Sequence, residues 1–202
     1  MFIICGLGNP GLRYRRTWHN LGFMLLDRLA GPEAAFRSGR GPWLEHRARL
    51  EEQDALLLKP TTYMNLSGQA LAEACAFYKV EAPRVLVVFD DIDLPLGEIR
   101  FREQGSGGNH NGMSHVVQHL GPQVPRLRLG FRPPLAVDSA QWKAFVLSPI
   151  PQTARDEAER MLGEAEAGVR TFLASGIREA MNRWNRGGGR RGEGPESGAP
   201  VA

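Results

Sequence analysis

Cysteine is nearly absent from this chain of 202 residues: Cys5 and Cys75 stand alone, without metal-ligand spacing. That excludes a disulfide framework and a thiolate zinc centre, and it points to a reduced, cytoplasmic setting. Neither cysteine has a nearby histidine or a helix-start position to activate it, and no serine sits in a Gly-x-Ser-x-Gly elbow. A covalent nucleophile is therefore not visible. No run is long and apolar enough to span a membrane. The opening MFIICGLG lacks the basic start and small-residue cleavage site of a secretory signal. Internal repeats are absent. Lysine is scarce too: of the 25 basic residues only Lys59, Lys79 and Lys143 are lysines. The cationic residues are thus mostly arginine, whose planar fork suits phosphate, although a GC-rich genome would produce the same bias and is the preferred reading of it.

The chain carries 42% hydrophobic and 23% charged residues, a globular balance, and its length suits one domain with a sizeable core. The net charge of +3 is unevenly spread. Positions 13–49 carry a balance of +5, positions 50–103 one of −5, and positions 104–152 one of +3. This permits an anionic partner without demanding one.

Apolar runs alternate with helical periodicities. Phe2–Cys5 reads as a buried strand, and Asn20–Leu29 as a helix closed by Gly31-Pro32. Positions 33–43 read as loop, and Leu44–Glu51 with Ala55–Leu58 as a hairpin. A helix capped by Asn65 or Ser67 runs to about Lys79. Val85–Phe89 is the clearest buried strand, bounded by Asp90-Asp91, and Glu98–Arg102 reads as a more polar edge strand. A glycine-rich loop at Gly105–Gly112, a short helix at Met113–Leu120, a strand at Leu127–Phe131 and a long helix at Thr153–Ser175 follow. Gly176 breaks that helix, and Ile177–Asn185 adds two turns. The expected fold is α/β: a single domain, residues 1–186, with a twisted, mostly parallel (mixed) central sheet flanked by helices. Residues 187–202 have almost no apolar content and read as a disordered tail.

Sheets of this kind bind ligands beyond the carboxyl ends of their strands. Those positions hold Asn9 and His19 after the first strand, Thr61 to Asn65 after the hairpin, and Asp90, Asp91 and Asp93 after Val85–Phe89. The glycine loop adds Asn109, His110 and Asn111. Gly6 to Gly11 match G-x-G-x-x-G letter for letter, but Pro10 sits inside the motif and no tightly packed helix opens after it. A dinucleotide turn needs that helix, so the match is a decoy. His115 and His119 have metal-ligand spacing on a helix, yet residue 116 is Val where a zinc protease needs Glu, so they read as a solvated face. The three acids could hold Mg²⁺, or orient side chains and cap a turn; the latter is preferred, and no metal is assigned. Gly105–Asn109 fits either an anion-binding backbone nest or a flexible loop. What remains is a histidine with carboxylates and amides. His19 beside a carboxylate such as Asp90 would be a general base for water, its tautomer fixed by the acid. The amides of Asn9, Asn65 and Asn111 would bind substrate or donate to an oxyanion.

At these residues the chain resembles a family. Gly6-Leu7-Gly8-Asn9-Pro10-Gly11, then Tyr14, then Thr17 to Gly22, resemble the first signature of the bacterial peptidyl-tRNA hydrolases. Lys59 to Gly68, Asp90 to Gly97, Gly107 to Gly112 and Arg126 to Gly130 match four more, in order, over residues 2 to 185. The resemblance implies a monomeric, cytoplasmic enzyme that hydrolyses the ester between a peptide and the terminal ribose of tRNA. It implies water activated directly, with no covalent intermediate and no metal or cofactor. It makes His19 the base, Asp90 its partner and Asn111 the residue placing the water. Asn9, Tyr14, Met64, Asn65 and Asn111 bind the peptide and ester end, and Arg100, Arg102 and Arg128 meet tRNA phosphate. The alternative is a catalytically silent relative that docks tRNA or the ribosome. Two departures stand out. Trp18 replaces an arginine usual beside the histidine, so that residue's contact is either lost or replaced by stacking. Asn109 replaces a glycine at a position read as one of positive φ.

Overall fold

The computed structural model describes residues 1–132 and 141–185. Among these residues seven strands form one sheet: β1 (Phe2–Gly6), β2 (Arg37–Ser38), β3 (Trp43–Leu50), β4 (Gln53–Pro60), β5 (Val85–Pro95), β6 (Ile99–Arg102) and β7 (Arg126–Arg132). Their order is β2-β3-β4-β1-β5-β7-β6. The central strands β4, β1, β5 and β7 run parallel, while β2, β3 and β6 are joined antiparallel at the two sides. Helices α1 (Leu21–Ala30), α2 (Ser67–Tyr78), α3 (Asn111–Leu120), α4 (Trp142–Val146) and α5 (Gln152–Trp184) cover the faces. The expected α/β class and mixed sheet are what the chain forms. Among the described residues no helix is long and apolar enough to cross a membrane.

The parallel strands are buried on both faces, so their sequences are apolar without alternation. Ile4, Leu57, Val88 and Leu127 face a core built with α1 and α5. Ile3, Cys5, Leu56, Leu58 and Val87 face a second core built with α2 and α3. Gly22, in the first turn of α1, serves this packing. A Cβ on Gly22 would lie 2.5 Å from Leu7 O and 2.6 Å from Val88 O, so only glycine lets α1 descend onto the ends of β1 and β5. Helix α1 starts at Leu21, well past Gly11, in keeping with the rejected dinucleotide reading.

Several boundaries differ from expectation, each for a physical reason. Strand β5 does not end at Phe89 but continues through Asp90 and Asp91, which pair with Leu129 and Gly130 of β7. Acids are poor strand formers, but here the side chains are neutralised by partners and the backbone keeps its ladder. Positions 33–43 are not wholly loop, since Arg37 and Ser38 pair with Glu45 and Leu44. Neither Asn65 nor Ser67 caps α2; instead the Gly68 amide donates to His115 Nδ1 of α3 at 3.0 Å. Gly176, at φ 83°, breaks α5 as its sequence suggests. Past that break, Asn185 Oδ1 accepts from Phe101 N at 2.6 Å while its Nδ2 donates to Phe101 O at 2.8 Å. This side-chain amide stands in for a neighbouring strand and closes the exposed edge of β6. The expected tail at 187–202 lies outside the described residues.

Candidate active site

The carboxyl ends of β1, β4 and β5 open into one cleft of about 1230 Å³. Asn9, Tyr14, His19, Met64, Asn65, Asp90, Asn111, Arg102 and Arg128 all line it, so nine of the ten residues singled out in the sequence converge there. The tenth, Arg100, is not on the cleft wall; it lies 3.8 Å from Glu98 in a partly exposed pair. Arg102 is exposed and forms no ion pair among the described residues, whereas Arg128 Nε is bound to Asp91 Oδ2. A free arginine is available to an anion; a paired one must first exchange its carboxylate.

His19 sits in a 3₁₀ turn (Trp18–Asn20) directly before α1. Its Nδ1 lies 3.0 and 2.9 Å from the two oxygens of buried Asp90. Burial would raise the Asp90 pKa, but the charges and hydrogen bonds of His19 and His110 outweigh it and hold the carboxyl well below its usual range. An ionised carboxylate only accepts, so His19 Nδ1 carries the proton and donates. That leaves Nε2 as the basic nitrogen of a residue lining the cleft, with no partner among the described residues. Burial pulls the His19 pKa down, and the Asp90 charge and hydrogen bond more than reverse this, raising it above the ordinary histidine value.

His110, which the sequence placed in the loop without a role, completes the arrangement. Its Nδ1 accepts from Met113 N at 3.0 Å, capping α3, and its Nε2 lies 3.1 Å from Asp90 Oδ1. The ring proton therefore sits on Nε2 and is donated to the same acid. Three potential metal ligands, His19, Asp90 and His110, thus stand within 4.8 Å of one another. Both imidazole nitrogens facing the acid carry protons, however, and a cation would have to displace two hydrogen bonds. The donor set fits a His–Asp–His hydrogen-bond relay rather than a metal centre.

Asn9 is fixed by a residue that sequence reading passed over. Its backbone N–H donates to Asn20 Oδ1 at 2.9 Å, and Asn20 Nδ2 donates back to Asn9 O at 3.0 Å. Asn9 Oδ1 in turn accepts from Met64 N at 3.1 Å. With its oxygen spent, Asn9 offers Nδ2 as the group for a ligand. Asn65 follows Met64 in a 3₁₀ turn, and Asn111 opens α3; both are exposed in the cleft. The spacing Trp18-His19-Asn20 was the available signal for Asn20: one turn delivers a base to the cleft and a buried amide beneath it.

The two departures resolve differently. Trp18 is buried and stacks on Phe131 at 5.5 Å and Phe145 at 6.4 Å, so it faces the interior rather than a ligand. It underlies the apolar wall that Phe131, Trp142, Val146 and Leu147 give the cleft. Asn109 needs no positive φ, because the left-handed position of the loop is Gly108, at φ 57°.

Comparison with known proteins decides the lineage. A family model described as peptidyl-tRNA hydrolase matches residues 3–192. The chain belongs to the peptidyl-tRNA hydrolase family. A peptidyl-tRNA hydrolase of Carboxydothermus hydrogenoformans is 44% identical over 190 residues, covering 93% of this chain and all of that relative. One from Chloroflexus aurantiacus is 42% identical, covering 92% of this chain and 99% of its own. The crystal structure of the peptidyl-tRNA hydrolase from Acinetobacter baumannii superposes with a TM-score of 0.84 at 32% identity, covering 92% of this chain and 95% of its own. Family membership makes this chain an enzyme of the peptidyl-tRNA hydrolase type, and the cleft just described is the candidate site of that hydrolysis.

Proposed function

We propose that the cleft hydrolyses the ester linking a peptide, or an N-blocked amino acid, to the terminal ribose of tRNA, by direct attack of water. The observation that carries this reading is the His19–Asp90 pair, with Nε2 of His19 left basic and unpartnered on the cleft wall. Nε2 takes a proton from water as the water oxygen attacks the ester carbonyl. Asp90 holds the ring in the needed tautomer and stabilises the imidazolium that forms. Asn111 places the water. Asn9 Nδ2 is a neutral donor to the oxyanion, a contact worth roughly 3 kcal/mol in such transition states. Collapse of the tetrahedral intermediate breaks the bond to the ribose oxygen, and His19 returns its proton to that leaving group. No covalent intermediate is required.

Tyr14, Met64 and Asn65 receive the peptide and ester end, and Arg102 meets tRNA phosphate with Arg128 and Arg100 behind it. Contacts to backbone and shape suit an enzyme that accepts every tRNA. The protein acts as a monomer in the cytoplasm, on this reading. The test is release of the N-blocked amino acid from N-acetyl-aminoacyl-tRNA by the purified protein in EDTA. Multiple turnovers are expected. Tight tRNA binding without release would instead identify a catalytically silent tRNA- or ribosome-binding relative.

A further inference from the structure

Arg126 is 2% exposed and has no carboxylate partner among the described residues, which is unusual for a buried cation. Its guanidinium is satisfied by backbone carbonyls alone. Nε donates to Val124 O at 3.1 Å and Nη2 to Pro122 O at 2.8 Å. Nη1 donates to two successive carbonyls of the glycine loop, Gly105 O at 2.8 Å and Ser106 O at 2.7 Å. Gly105 N also donates to Pro122 O at 3.0 Å, so the loop base is tied twice to the segment leading into β7. Burial, and then the nearby Arg128 charge, push the Arg126 pKa down to about 10, which leaves it charged at neutral pH.

The loop held in this way ends at His110 and Asn111. Its glycines give it little stiffness of its own, and contacts supply what is lacking. A Cβ on Gly107 would fall 2.2 Å from Ser114 Cα, so the loop is seated against the first turn of α3. His110 N then donates to Gly107 O at 3.3 Å. A continuous path thus runs from the Arg126 fork, through the two carbonyls and the seated Gly107, to the histidine that donates to Asp90.

We infer that Arg126 is a positioning residue for the hydrolysis: it clamps the glycine loop so that His110 stays on Asp90 and Asn111 stays in the cleft. Arg126 borders the cleft, but its donors are spent on backbone carbonyls, so it acts through the loop rather than on substrate. The kinetic part rests on the hydrolase reading above; the structural part does not. A fork reaching four carbonyls is specific to arginine, since a lysine ammonium has only three donors from one point.

The test compares Arg126→Met, Arg126→Lys and wild type, all assayed well below their melting temperatures with N-acetyl-aminoacyl-tRNA. Releasing the loop should lower kcat on the order of 10²-fold, as small misplacements of reacting groups do, with KM little changed. Arg126→Lys should recover part of the loss. A second readout is independent of activity: the His19 titration followed by NMR. Without the His110 hydrogen bond, Asp90 keeps more of its charge for His19, whose pKa should rise above the wild-type value. Arg126→Met and His110→Ala should both produce that rise. A raised KM at unchanged kcat would make Arg126 a phosphate contact and overturn the proposal. Unchanged kcat and an unmoved His19 titration, with only a lower melting temperature, would overturn it as well. If the wild type proves inactive, the NMR titration still decides the clamp while the hydrolase reading fails by itself.

Discussion

Replacing Asp90 with Asn removes one charge and leaves the shape of the side chain. In the wild type both carboxylate oxygens lie 2.9–3.0 Å from His19 Nδ1, and one also accepts from His110 Nε2. An amide can keep its oxygen toward His110, but its NH2 then faces His19 Nδ1 where an acceptor stood. Two protonated nitrogens cannot share that contact, so the His19 tautomer inverts and Nε2 loses its basic lone pair. Loss of one charge-assisted hydrogen bond alone is worth about 1.5–3 kcal/mol, which is on the order of 10- to 100-fold in rate. Inversion of the tautomer extends the loss toward roughly 10⁴-fold, the effect of the matching change in a hydrolytic triad. The pH profile has a sign of its own. His19 is raised above its ordinary value, so wild-type kcat/KM should fall as pH drops through a midpoint above 6.5. In Asp90→Asn the burial of the ring is no longer opposed by a charge, and the midpoint should move below the wild-type one. The assay is deacylation of N-acetyl-aminoacyl-tRNA from pH 5 to 9 with both proteins. An unchanged kcat with an unmoved midpoint would refute the His–Asp pairing.

Other perturbations follow from the same geometry. Asn20→Ala strands the buried Asn9 amide, at a cost of about 1–3 kcal/mol; thermal unfolding should show a melting temperature lower by several degrees, and kcat should fall because Asn9 is no longer held. Arg102→Ala should raise KM for full-length tRNA substrates and flatten the dependence of KM on salt by about one phosphate contact, while a short nucleotide–peptide ester should be cleaved as before. Glu51 and Glu52 form a two-residue hairpin turn at φ 48° and 59°, a conformation that favours Asn-Gly. The double change Glu51→Asn, Glu52→Gly should therefore stabilise by about 1 kcal/mol, read by urea denaturation, with turnover unaffected. A loss of stability there would mean that the exposed pair of Glu51 with Arg170 outweighs the backbone strain.

Much of the fold was legible because the physics is local. Phe2–Gly6, Val85–Phe89 and the hairpin announce themselves as apolar runs, and α1 and α5 as helical stripes, the first ended and the second broken by a glycine. The continuation of β5 through Asp90-Asp91 was not legible, because it depends on His19, His110 and Arg128 arriving from other elements to neutralise the acids. His19 and Asp90 stood out in the sequence because each follows an apolar run read as a buried strand, and the family resemblance paired them. His110 did not, since its role depends on capping α3 and reaching Asp90 at once. Arg126 was hidden for a similar reason. Nothing local in Arg126-Leu127-Arg128 separates the two arginines, yet Arg128 is partly exposed while Arg126 is buried among carbonyls. Trp18 shows the converse, a site-adjacent departure that turned out to be core packing.

The central claim is that Nε2 of His19 activates water. Single-turnover deacylation of N-acetyl-aminoacyl-tRNA by His19→Ala, with tRNA affinity measured alongside, tests it most directly. The rate should fall about 10²- to 10⁴-fold, the contribution of a positioned general base, while tRNA affinity stays at the wild-type level. A His19→Ala protein that binds tRNA normally and deacylates it at close to the wild-type rate would contradict the account.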